Sequence, residues 1–147
     1  MIALKPIDQS NFLDAFHLTL KEGQEAYVSH PIRSLAQAYV YRNQCTPFGV
    51  YADEHMVGYV MVIFDDDERT YNIWHLMIDQ AFQGQGYGRQ ALTEAIAYCR
   101  RKPFGQSGTL LLTCSPENAV AYHLYESVGF APTGRSDDEK AELSLTI

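Results

Sequence analysis

The stretch from Leu76 to Cys99 limits the folds open to this chain more than any other. An apolar strand ending Leu76-Met77-Ile78 runs into glycines at alternate positions, Gly84, Gly86 and Gly88. A helix follows, with Leu92, Ala95, Ile96 and Cys99 on one face, Arg100, Arg101 and Lys102 at its end, and Pro103 beyond. The apolar run Thr109 to Cys114 comes next. Parallel strands need a long crossover, so this order predicts a β-α-β unit. The glycines let the backbone take unusual angles and approach a ligand closely. The helix start adds free N–H groups and the positive end of the dipole, which suits an anion such as a pyrophosphate. The spacing satisfies neither G-x-G-x-x-G nor the Walker pattern, and several elements precede the loop, which argues against a Rossmann domain.

Around this unit the hydrophobic period changes twice. Ile2 to Ile7 alternates as a first strand. Phe12, Ala15, Phe16 and Leu20, then Ile32, Leu35, Ala36 and Tyr39, are spaced as the buried stripes of two helices, with Pro31 in the first turn of the second. Phe48 to Tyr51, Met56 to Phe64 and Tyr71 to Ile78 read as an antiparallel meander, with Asp65 to Glu68 as a solvated turn. After Ser115-Pro116 a helix presents Ala121, Leu124, Tyr125 and Val128, and Gly129 sits where a C-terminal glycine cap belongs. Two strands around Arg135 to Lys140 complete the order β-α-α-β-β-β-α-β-α-β-β, an α/β domain on a mixed sheet expected to occupy residues 1–147 as one unit.

Composition removes several functions. Eighteen acidic against eleven basic residues give a net charge of −7, which argues against sequence-independent binding to nucleic acid. Cys45, Cys99 and Cys114 form no C-x-x-C pair, so no metal site is expected and the thiols read as reduced. The longest apolar run, Tyr59 to Phe64, is far short of the roughly 20 residues of a membrane span. No signal peptide is visible, and a cytoplasmic location is expected.

Two motifs carry a resemblance. Gln83-x-x-Gly86-x-Gly88 is similar to the Q/R-x-x-G-x-G/A pyrophosphate motif of GNAT-type N-acetyltransferases. Asn118-Ala119-Val120-Ala121-Tyr122-His123-Leu124-Tyr125-Glu126-Ser127-Val128-Gly129-Phe130 resembles that family's N-x-x-A-x-x-L-Y-x-x-x-G-F signature. Pro47 to Tyr51, Val57 to Val60, Trp74 to Asp79 and Gln24 to Tyr27 look like the bacterial spermine/spermidine (diamine) acetyltransferases.

The resemblance implies a GNAT-like fold and acetyl-CoA as co-substrate. It implies that the backbone of Leu76, Met77 and Ile78 pairs with the pantetheine arm. The N–H groups of Gln83, Gly84, Gln85, Gly86, Tyr87, Gly88 and Arg89 would hold the pyrophosphate. Asn118 would bond the pantetheine, or else cap a helix. Tyr125 would protonate the departing thiolate by acting as general acid, or else pack in the core. The acceptor would be a primary amine, most simply a polyamine. A peptide amine, an antibiotic amine and a non-catalytic CoA-binding module are the alternatives, and a homodimer is expected by analogy.

For the acceptor side, Glu25, Trp74 and His75 are candidates, with Glu22 weaker. His75 stands where related polyamine enzymes often place a carboxylate, and histidine can titrate near neutrality, though a single strand histidine is more often structural or on the surface. Cys114 invites a covalent route, but a strand cysteine more often packs as a small hydrophobe.

Overall fold

The computed structural model describes residues 1–147. In chain order the elements are β1 (Ile2–Pro6), α1 (Phe12–Phe16), a 3₁₀ turn at Gln24–Ala26, α2 (Pro31–Val40), β2 (Cys45–Ala52), β3 (His55–Asp65) and β4 (Thr70–Ile78). A 3₁₀ turn at Gln80–Phe82, α3 (Tyr87–Arg100), β5 (Thr109–Cys114), α4 (Ala119–Ser127), β6 (Ala131–Asp137) and β7 (Lys140–Thr146) follow. All strands join one sheet in the order β1-β2-β3-β4-β5-β7-β6. This is the expected α/β domain on a mixed sheet. The last strand inserts between β5 and β6, antiparallel to both. No helix is long and apolar enough to cross a membrane.

Side-chain alternation along the strands builds two cores. On one face Val50, Val60, Val62, Ile73 and Leu110 pack against Ala91, Leu92, Ala95, Ile96 and Cys99 of α3. On the other face Tyr59, Met61, Ile63 and Met77 pack against Ala15, Leu18 and Ala38. Each such side chain fully buried contributes roughly 1.5–3 kcal/mol.

Two irregularities in β4 position the site. Its only pairs with β5 are Tyr71 with Leu110 and Asn72 with Leu111, so the two parallel strands part beyond that point. On its other side the register moves from Met61–His75 to Val62–Ile73, leaving Trp74 as the extra residue of a β-bulge.

The N-terminal helices depart from the predicted stripes. In α2 the buried residues are Pro31, Ser34 and Ala38, whereas Ile32, Ala36 and Tyr39 are exposed. Ser34 is tolerated inside because its hydroxyl accepts from the Tyr59 hydroxyl at 2.9 Å and donates to Met61 Sδ. In α1 only Ala15 is buried, and Phe12 and Phe16 are about half exposed.

Candidate active site

Where β4 and β5 part, a cleft of about 290 Å³ opens. Its strand walls are Ile73–Leu76 and Leu112–Cys114, its helical wall is Asn118, Ala121 and Tyr125, and its third wall is Glu25–Ser29 with Arg33. Six of the predicted site residues therefore meet here: Glu25, Trp74, His75, Leu76, Asn118 and Tyr125. Glu22 does not line it.

The free edge of β4 alternates. Asp79 donates its N–H to Val57 of β3 at 2.8 Å. By the two-residue period Met77 also faces β3, so Leu76 presents its N–H and C=O, and Ile78 its N–H, to the gap, the Ile78 carbonyl being engaged by Gln83. The expectation for Met77 is corrected in this respect: its backbone polar groups are taken by β3, and its side chain is buried on the α1 and α2 face.

Beyond Ile78 the chain turns through Asp79, whose carboxylate accepts from Ala81 N–H at 2.9 Å. Gln83 then donates to the Ile78 carbonyl at 2.9 Å. Gly84 and Gly86 hold φ of 78° and 82°, the left-handed region that favours glycine. A Cβ on either would meet nothing within 4 Å, so the loop faces open space. Gly86 caps α3 with no side-chain hydrogen bond, which leaves the N–H groups of its first turn free for an anion. Gly88 needs no positive φ and lies under Leu124. Arg89 is held by a 2.6 Å bond to Ser127 Oγ, Tyr87 packs against the core, and Gln85 is exposed.

The end of α4 places Tyr125. Phe130 donates its N–H to Tyr125 C=O at 3.1 Å and Gly129 donates to Glu126 C=O at 3.0 Å. These are the two bonds of a Schellman motif, with Gly129 at φ 109°. The apolar contact that accompanies such a motif is Phe130 against Tyr125, rings 5.9 Å apart and edge-on. The spacing Tyr125-x-x-x-Gly129-Phe130 thus has a mechanical reason: it fixes the tyrosine at the cleft wall. Its hydroxyl has no partner in the chain. Burial, with a smaller contribution from Cys114, raises its pKa above the ordinary phenol value. Asn118 precedes α4 but makes no side-chain cap bond, which leaves its amide free at the cleft.

One expectation fails on burial, a His75 that titrates near neutrality. His75 is 6% exposed, its ring lies edge-on to Tyr59, and its Nε2 is sealed with no partner. Desolvation, with a smaller repulsion from His30, lowers its pKa from 6.5 to about 4, so it does not titrate near neutrality. The sign for stability follows. The unfolded chain binds the His75 proton below pH 6.5 and the folded chain only near pH 4, so stability falls as pH drops through that window. The full loss is roughly 3 kcal/mol. Denaturant titrations between pH 7 and 4 should show this loss, and His75→Gln should flatten that part of the curve. An unchanged curve would refute the buried neutral ring. Cys114 is buried as a packed strand cysteine is expected to be, and burial raises its pKa, which disfavours the thiolate a covalent route needs.

Trp74 and Glu25 both line the cleft. The bulge turns Trp74 out, 46% exposed, with its ring edge-on to Tyr41 at 5.6 Å. Glu25 borders both the cleft and a neighbouring hollow of about 660 Å³ lined by Phe16, Thr19, Val28 and His30. Arg33 and Lys140 also reach the cleft without ion-pair partners. The sequence reading missed both, because only the fold brings the first turn of α2 and the start of β7 to the end of β5.

Residues 12–130 match the model of the acetyltransferase (GNAT) family. A stretch of 64 residues is 39% identical to the ribosomal protein bS18-alanine N-acetyltransferase of Haemophilus ducreyi, covering 44% of this chain and 41% of that protein. The chain therefore spans less than half the length of this curated relative. Two solved structures share the fold throughout. Spermidine N-acetyltransferase from Vibrio cholerae, in complex with CoA and spermine, has a TM-score of 0.75 at 20% identity, over 99% of this chain and 94% of that one. The Salmonella typhimurium acetyltransferase that modifies the N-terminal serine of ribosomal protein L7/L12 has a TM-score of 0.74 at 17% identity, over 99% and 95%. With the family match running from α1 to the residue after the Schellman glycine, the chain belongs to the GNAT acetyltransferase family.

Proposed function

We propose that this chain transfers the acetyl group of acetyl-CoA to a primary amine, and that the amine belongs to a polyamine. The observation that carries the reading is the parted β4 and β5 with the partner-free Tyr125 hydroxyl at the cleft wall. The residues fit the cofactor. Leu76 and Ile78 offer a strand edge for the pantetheine amides, and the open glycine loop with the uncapped α3 start suits the pyrophosphate. Asn118 offers a free amide for the same arm. Bound acetyl-CoA supplies an activated thioester. Tyr125 holds a proton at the cleft through the neutral range and can give it to a departing thiolate. Glu25 and the face of Trp74 are placed to meet an ammonium group. Likeness to the Vibrio cholerae enzyme and the sequence resemblance support the polyamine.

One observation favours a second acceptor. Arg33 and Lys140 line the cleft unpaired, which repels a polycation and suits a peptide amine with a carboxylate nearby. A thioester-consumption assay with spermidine, spermine, a diamine and acidic and neutral alanine-first peptides decides between them. The polyamine reading expects turnover of spermidine. It also expects Arg33→Gln/Lys140→Gln to raise kcat/KM for spermidine by about fivefold to tenfold, as two like charges are removed. Turnover of an acidic peptide alone, lost in that double variant, would replace the polyamine with the peptide.

A further inference from the structure

Apolar packing holds the acceptor-side wall of the cleft at one point, Val28, which rests against the core beneath α1 and α2. The turn Gln24–Ala26 contains no buried residue, and the wall Glu25–Ser29 continues directly from it. The turn at its start is fixed by a set of hydrogen bonds to the far end of β4 and the start of the glycine loop. Gln24 and Gln83, 59 positions apart, pair through their side-chain amides: Gln24 Nε2 donates to Gln83 Oε1 at 3.1 Å, and Gln83 Nε2 donates to Gln24 Oε1 at 2.9 Å. The same Gln83 nitrogen reaches the Ile78 carbonyl at 2.9 Å, and Gln24 Oε1 also accepts the Lys21 N–H at 3.0 Å. Five residues earlier in the chain, Thr19 donates its N–H to Asp79 Oδ2 at 2.8 Å, and its carbonyl accepts from Gln80 N–H at 2.8 Å. Gln80 Nε2 adds a 3.0 Å bond to Thr19 Oγ1. Thr19 to Gln24 is therefore tied at both ends to the segment 78–83.

We propose that Gln24 is a positioning residue: its amide pair with Gln83 makes the Glu25–Ser29 wall respond to what the glycine loop holds. Gln83 is the residue immediately before Gly84, so an anion that orders the loop N–H groups also fixes the Gln83 side chain. Gln83 in turn holds Gln24, and Gln24 holds the turn from which Glu25 projects. Both bonds join neutral amides, so the link is insensitive to pH and only weakly sensitive to salt, unlike a charged latch. Outside Val28 the wall has little packing to lose, and a few hydrogen bonds can set the order of its turn. The inference rests on the reading that the loop takes the CoA pyrophosphate.

Backbone hydrogen exchange on the full chain, with CoA as the probe, tests it. In the wild type, CoA should slow exchange across residues 84–89 and also across 24–29, each by about tenfold, within the usual range of coupling between sites. In Gln24→Ala the slowing at 84–89 should persist while that at 24–29 falls below about twofold. Gln24→Glu keeps an acceptor for the Gln83 amide and should retain part of the response, which a merely structural loss of the turn would not allow. Equal protection of 24–29 in wild type and Gln24→Ala overturns the proposal. So does a wild-type wall that ignores CoA while 84–89 responds. No response at 84–89 in the wild type would remove the cofactor reading itself, a separate and recognisable failure.

Discussion

Tyr125→Phe lowers kcat for acetyl transfer by about 10²- to 10⁴-fold, the span that loss of a positioned proton donor produces. Acetyl-CoA affinity and the melting temperature stay close to wild type. The phenyl ring keeps its contact with Phe130 and the Schellman motif is main-chain, so the variant folds with the same helix end. The hydroxyl has no partner in the chain, so its removal orphans nothing and shifts stability by less than about 0.5 kcal/mol. A tyrosine that only packed would give the opposite pattern, with stability and activity falling together. Stopped-time thioester assays, calorimetry with CoA and a thermal melt on one preparation separate the two. The pH profile adds a check. Burial raises the phenol pKa above its ordinary value of 10.0, so the wild type should show no loss of proton donor as pH rises from 7 to 9. A fall in kcat across that range that disappears in Tyr125→Phe would argue that the phenol is not shielded as described.

The parts of the site carried by contiguous sequence were legible without coordinates, because local geometry dictates them. Gly86 and Gly129 both adopt positive φ, and each ends or begins a helix where the pattern places it. The antiparallel meander and the parallel β4–β5 pair follow from runs of apolar residues separated by turns or by a helix. The N-terminal helices were misread for a physical reason. Apolar periodicity assumes that every apolar stripe is buried, yet α2 turns Ile32 and Tyr39 outward and buries Ser34, whose hydroxyl the Tyr59 phenol satisfies. Whether His75 titrates or packs is not legible in the sequence, because its burial depends on packing against Tyr59 from another strand. The links that organise the acceptor side, Thr19 with Asp79 and Gln24 with Gln83, join residues about sixty positions apart through polar side chains that leave no periodic trace. Arg33 and Lys140 are separated still further. Their meeting at the cleft is a product of strand order, in which β7 lies beside β5.

Gly58→Ala damages the fold and the cofactor edge together, more than its single added methyl suggests. Gly58 sits opposite Ile78 across β3 and β4. A Cβ built there would overlap the Met77 carbonyl oxygen and lie 2.8 Å from Ile78 Cδ1 and 3.3 Å from Ile78 Cα. Backbone cannot swing aside as a side-chain end can, so β4 must shift away from β3. Overpacking of this kind costs about 1–3 kcal/mol. The shift falls on the residues whose outward backbone groups form the free strand edge, Leu76 and the N–H of Ile78, so CoA affinity should drop by about tenfold or more, since misplaced donors lose their hydrogen bonds. Gly108→Ala is the control. The nearest atom to its new Cβ is the Ile147 carbonyl oxygen at 4.0 Å, and the position needs no positive φ. That variant should bind CoA as the wild type does and be equally or slightly more stable, since alanine lowers the entropy of the unfolded chain. Urea titration measures the first effect and calorimetry with CoA the second. If Gly58→Ala matched Gly108→Ala in both, the close β3–β4 approach would not be what sets the register of the cofactor edge.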